Sequence, residues 1–369
     1  MTFTRKFALV SIATVATLPL GVGVAAAVTP SEDLVERGVL RDVTWEQNDR
    51  DWLAESDTEM NIFVPGTGDT TFESRTAGYA GERPSYAVNY PEAFGPVISG
   101  NTEGIGAKVP IFAPSYNESV EIGTEATMDT FRTLRGENGV DERITWEGFS
   151  QGARILGDSA EQAHAEGLLS ENDQIILSSD PRGPWGIESR IHGTPMGEVV
   201  RPIVTTEEAR DPADIGEDAQ VVSVVMTGDP VSNWQWDDRR PVSSLVVNAA
   251  GFAMVHSGTS DQSFENVFEP DAGLADDARV FESEEGNTTY VVVETDHPMA
   301  LAQAVVYDEL QVPYSDSDTE RWNQQWNQFY EIQTPTAQNA AVPVTEVTTP
   351  EAEEASTYEV AEADIALTP

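Results

Sequence analysis

The chain has 369 residues and carries 64 acidic against 20 basic side chains, a formal charge of −44. So acidic a surface excludes charge-driven binding to nucleic acid or to an anionic membrane, since both need a basic patch. With no cysteine, four histidines and no H-E-x-x-H motif, the sequence offers no disulfide, thiol nucleophile or recognisable metal site, and no cofactor is expected.

In chain order, Arg5 and Lys6 precede an apolar run, Phe7 to Val24, that ends in Ala25-Ala26-Ala27. This pattern predicts a cleaved export signal over residues 1–27, and Pro19 with the glycines beside it argues against an uncleaved anchor. No later segment is long and apolar enough to form a transmembrane helix in the mature protein. A secreted protein, extracellular or held at the cell envelope, is the expectation. The acidic excess keeps such a protein soluble, and it also suits a salty medium, where screening relieves repulsion between carboxylates.

Residues 28–333 form one expected domain without internal repeats, long enough to bury a large core unaided. Strand-like runs fall at Met60–Val64, Tyr86–Asn89, Arg143–Trp146, Gln174–Leu177, Gln220–Met226 and Thr288–Val293. Helical runs fall at Glu118–Leu134, Gly152–His164, Ser243–Met254 and Met299–Leu310. Trp322, Trp326 and Phe329 share one helical face and predict a last helix. This alternation predicts an α/β fold, a mainly parallel sheet with helices on both faces and its chemistry at the carboxyl ends of the strands. Residues 334–369 are rich in Thr, Ala, Pro and Glu and have no basic residue, which predicts a disordered acidic tail.

Gly148-Phe149-Ser150-Gln151-Gly152 has the G-x-S-x-G spacing of a nucleophile elbow. The chemistry needs a strand before the serine, a strained turn at it and a helix after it, and the glycines remove side chains that would collide there. Arg143–Trp146 and the run from Ala153 supply that context. Ser150 is therefore the expected nucleophile.

A serine nucleophile needs a base and an acid that orients the base. Asp229, in Thr227-Gly228-Asp229-Pro230, follows the strongest strand of the second half; Asp180, in Ser178-Ser179-Asp180-Pro181, is the rival acid. Oxyanion donors are expected from the backbone of Gln151 and from the glycine loop Val64-Pro65-Gly66-Thr67-Gly68, where Thr67 adds a hydroxyl. His164 and His192 precede Asp229 and are read as structural. His256 and His297 both follow it, and both are candidates for the base; His297 sits directly after a strand, where most α/β hydrolases carry their histidine. Trp185, Trp234 and Trp236 suggest an apolar rim around the site.

Gly148–Ala153, Asp180-Pro181-Arg182-Gly183-Pro184 and Thr227–Pro230 together resemble the actinobacterial PE-PPE hydrolase domain and its cutinase relatives. Val88-Asn89-Tyr90-Pro91, Tyr116–Val120 with Gly123, and Gly286–Tyr290 match the same pattern in the same order, so the resemblance spans roughly 61–310. It implies a cutinase-like α/β hydrolase acting on acyl esters or lipids, with Ser150 and Asp229 at the positions of the nucleophile and acid. His256 holds the family's histidine position, although the usual H-x-x-Y reads His256-Ser257-Gly258-Thr259 here. The alternative from another class is a catalytically inactive protein of the same fold that binds lipid or serves the envelope, because a fold does not fix a function.

Overall fold

The computed structural model describes residues 29–43, 59–69, 83–101, 112–137, 139–201, 204–267 and 278–347. The expected export signal lies outside them, as does the tail beyond residue 347. Among the described residues nine strands form one sheet: β1 (Leu40–Asp42), β2 (Met60–Val64), β3 (Ser85–Val88), β4 (Ile144–Phe149), β5 (Asp173–Ser178), β6 (Gln220–Met226), β7 (Arg279–Ser283), β8 (Thr288–Val293) and β9 (Val344–Glu346). Their order is β1-β3-β2-β4-β5-β6-β8-β7-β9. The six from β3 to β8 in that order pair in parallel, and β1, β7 and β9 are antiparallel edge additions.

Every residue of β2, β4 and β5 is buried. Strands of a parallel sheet are covered on both faces, and here the burial takes in polar side chains, Asn61, Thr145, Glu147 and Gln174 among them. Helices α1 (Pro30–Glu36), α2 (Tyr116–Arg135) and α3 (Gln151–Ala165) belong to one side, where Leu34, Phe131, Trp146, Ile155 and Leu156 share a core. Phe131 stacks on Trp146 at 3.9 Å between ring centres. Short helices α4 (Ile187–Ile191), α5 (Pro195–Val200) and α6 (Pro212–Ile215) follow β5. On the other side α7 (Pro241–Gly251), continued by one π turn over Phe252–His256, and α8 (Pro298–Glu309) contribute Val255 and Leu301 to a core with Phe63, Phe149, Val224 and Val293. Helix α9 (Asp316–Phe329) is the expected last helix, and Trp322 is its buried residue. No helix among the described residues is long and apolar enough to cross a membrane.

This sheet is the α/β-hydrolase arrangement. From β2 the chain moves to β3 on one side and then crosses to β4 on the other. Such a reversal opens a crevice at the carboxyl ends of β2 and β4, where ligands bind in open α/β sheets. Thr67 follows β2 and Ser150 follows β4.

Two expectations are corrected. The segment expected to be disordered from residue 334 is ordered as far as 347: β9 pairs with the open edge of β7, and Val344 is buried with Trp185, Phe281 and Tyr290. An edge strand presents unpaired backbone groups to any passing segment, so pairing needs little side-chain pattern, and only Val344 faces inward. Trp185 is not a rim residue. It is fully buried, and its Nε1–H donates to Asn339 Oδ1 at 2.8 Å within that same segment.

Candidate active site

Ser150 stands between β4 and α3 with φ 55° and ψ −117°. A non-glycine residue with positive φ is strained, and such strain persists only where surrounding packing holds it. The packing is explicit. A Cβ on Gly152 would lie 1.8 Å from the Val64 carbonyl oxygen, and one on Gly148 would lie 2.5 Å from the Gly152 oxygen. The two glycines thus let β2, β4 and α3 close on one another, and this closure presents the serine.

Asp229 is fully buried in the turn after β6. Its carboxylate accepts from Ser179 Oγ at 2.5 Å, Ser232 Oγ at 2.6 Å and the Val231 N–H at 3.0 Å, besides His256 Nδ1 at 3.0 Å. Burial pushes its pKa up, but the attraction of His256 and these hydrogen bonds outweigh it, and the group is held below the ordinary carboxylate range. On the other side of the ring, His256 Nε2 lies 3.0 Å from Ser150 Oγ. An ionised carboxylate only accepts, so Nδ1 carries the proton and Nε2 is left to accept from the serine. The imidazole is stacked between Phe149 and Phe252, each 4.9 Å away centre to centre.

His256 reaches this position because α7 passes close to the turn that carries Asp229. A Cβ on Gly251 would lie 2.0 Å from the Gly228 oxygen. The helix then widens by one π turn, with Ser257 N–H donating to Phe252 O, which brings His256 to the helix end facing Ser150. Single π turns recur at functional sites because they re-aim a side chain.

The rival residues are engaged elsewhere. Asp180 accepts from Arg210 Nε at 3.1 Å and from the Arg182 N–H at 3.0 Å. It belongs to a buried ionic cluster in which Arg154, Arg182 and Arg210 share Asp158, with Glu161, Glu188 and Glu207 around them. His297 caps α8: Nδ1 accepts from the Met299 N–H and Nε2 donates to Tyr330 O, both at 3.0 Å. Both of its ring nitrogens are thus engaged away from Ser150, and burial lowers its pKa. His192 Nδ1 meets Thr206 O at 3.0 Å, and His164 lies at 4.0 Å from Asp218.

Gln151 is the first residue of α3, so its N–H has no intrahelical acceptor. Its side chain is tied back by Ser119 and the Ala93 carbonyl. The loop after β2 abuts the elbow: a Cβ on Gly66 would lie 3.3 Å from Ser150 Cβ. Thr67 lines the same cleft as Ser150, Gln151 and His256.

That cleft has a volume of about 690 Å³, and its walls are mostly apolar, with Phe94, Ile98, Ile191, Met196, Leu245 and Phe252 among them. Trp234 is on its edge, stacked on Trp236, so one of the three expected rim tryptophans lines it. Glu188 is an exception to the apolar lining. Burial pushes its pKa up to about 7 although Arg154 pulls it down, and Tyr116 donates to it at 3.1 Å.

Sequence reasoning missed Ser179 and Ser232, which hold Asp229. Ser179 has φ 59° at the end of β5, a second strained residue beside the site. It lay in the Ser178-Ser179-Asp180 stretch read for its aspartate, and serine is too common for its own position to signal a role.

No protein-family model matches this sequence, and no curated protein does. Among solved structures, an α/β hydrolase from Vibrio vulnificus is 14% identical and aligns over 76% of this chain and 83% of its own, with a TM-score of 0.33. An esterase from Pyrobaculum calidifontis is 10% identical over 82% and 90% of the two chains, with a TM-score of 0.31. A thermophilic esterase from the Planctomycetes species Thermogutta terrifontis, solved with butyrate bound, is 14% identical over 80% and 91%, with a TM-score of 0.32.

Proposed function

We propose that the protein is a serine esterase or lipase that cleaves acyl esters through an acyl-enzyme on Ser150. The observation that carries this reading is the unbroken chain Ser150 Oγ, His256 and Asp229, with 3.0 Å at each link, opening into an apolar cleft. Ser150 Oγ attacks the ester carbonyl carbon while His256 Nε2 takes its proton, and Asp229 stabilises the imidazolium. The carbonyl oxygen, now negative, is stabilised by the Gln151 N–H and by Thr67. Collapse expels the alcohol, which takes the proton from His256. Water then releases the acid by the same steps reversed; a second alcohol in place of water gives acyl transfer.

The ordered motifs support a place beside the PE-PPE and cutinase hydrolases, and the leader pattern of residues 1–27 supports export to the medium or the envelope. Purified protein is expected to hydrolyse p-nitrophenyl butyrate, and Ser150→Ala to reduce the rate to background. A folded wild-type protein that turns over no ester of any chain length would leave the inactive lipid-binding reading in its place.

A further inference from the structure

Residues 241–260 contain no Asp, Glu, Lys or Arg, although the whole chain carries 84 such residues. This stretch is α7, its π turn and the loop beyond. On α7 the apolar residues are not confined to the inward face, as they are on an ordinary surface helix. The inward face holds Val247 and Gly251 together with Ser244, bonded to Tyr330 Oη at 2.9 Å, and Asn248, bonded to the Gln235 backbone at 2.7 and 3.1 Å. The outward face is Val242, Leu245, Val246, Ala249 and Phe252, and Val242 is 73% exposed.

The apolar surface continues around the cleft. Ile98 and Val200 line the cleft, and the residues next to them in the chain, Val97 and Val199, are 70% and 77% exposed. Leu245, Ala249 and Phe252 belong to both surfaces, lining the cleft and facing solvent. An apolar patch continuous with a substrate cleft marks an interaction surface.

Resting on the esterase reading, we infer that this face docks onto the surface of an aggregated, uncharged ester lipid. Charge selects the occupant: residues 241–260 offer no cation to an anionic headgroup, Arg201 beside Val200 is paired with Glu198, and a chain of −44 is repelled by an anionic surface. Continuity supplies the rest. An acyl chain leaving the lipid enters past Leu245, Ala249 and Phe252, which line the cleft, and Phe252 stacks on the His256 ring.

The test separates docking from catalysis. Ser150→Ala protein is mixed with a triolein emulsion, and the floated fraction is measured at low and high NaCl; flotation is expected at both and should rise with salt. Val242→Asp with Val246→Glu in the same background is expected to lower partitioning at least tenfold. Neither valine lines the cleft, so in the Ser150 protein the same pair should leave hydrolysis of dissolved p-nitrophenyl acetate within about twofold while emulsion hydrolysis falls with binding. Should the acidic pair fail to fold, judged by circular dichroism, Val242→Thr with Val246→Thr decides on the same readouts. No flotation, flotation equal in the variants, or flotation that needs anionic lipid would overturn the inference. So would a dimer that the acidic pair dissolves and that triolein does not displace. Flotation without any ester turnover would keep the docking surface and remove the esterase reading instead.

Discussion

His256→Ala is expected to lower kcat by roughly four to six orders of magnitude with the fold intact, whereas His297→Ala should leave kcat within a few fold and lower the melting temperature. The asymmetry follows from what each ring touches. His256 links Ser150 to Asp229, and without it the serine has no acceptor for its proton and the buried carboxylate loses a hydrogen-bond donor. His297 joins the start of α8 to the Tyr330 carbonyl and stacks on Trp326, so its removal leaves backbone groups unpaired at about 1–3 kcal/mol each. Steady-state kinetics and thermal melts of both variants check this. An inactive His297→Ala beside an active His256→Ala would assign the base to the general strand-end position.

Gly152→Ala is expected to be the most destabilising single methyl addition at the site, costing on the order of 4 kcal/mol or leaving no folded protein. The methyl would meet the Val64 and Pro65 carbonyl oxygens at 1.8 and 2.5 Å, and both belong to backbone that cannot swing aside as a side chain can. Relief requires α3 to move off the end of β2, which also moves Ser150 and separates the Gln151 N–H from Thr67. Gly167→Ala is the control, since nothing lies within 4 Å of a Cβ there, though its φ of 68° carries a smaller backbone cost. Chemical denaturation of the two variants should rank them far apart; similar losses would mean that the close approach at the elbow is easily relaxed.

The elbow was legible because its requirements are local. A strand, a strained serine and two small residues leave a pentapeptide signature, and Asp229 followed from the end of the longest apolar strand. Which histidine meets Ser150 was not legible, because His256 and His297 both follow Asp229 in the chain. What distinguishes them is the π turn and the approach of Gly251 to the Gly228 oxygen, contacts between segments that no side-chain pattern encodes. The edge strands were hidden for a different reason. Leu40–Asp42 and Val344–Glu346 are three residues each, too short for a period, and are recruited by the open edges of β3 and β7. Asp180 drew attention by standing after β5, yet the Arg210 guanidinium that claims it lies 30 residues further along the chain.

The most direct measurement of the central claim is the intact mass of the protein after brief exposure to a fluorophosphonate, followed by peptide mapping. The reagent reacts only with a serine whose proton can be removed, so it reports the Ser150, His256 and Asp229 chain without requiring the natural ester. One adduct on Ser150 is expected, absent in Ser150→Ala and formed far more slowly in His256→Ala. A folded protein that takes no adduct, or takes it on a different serine, would contradict the account.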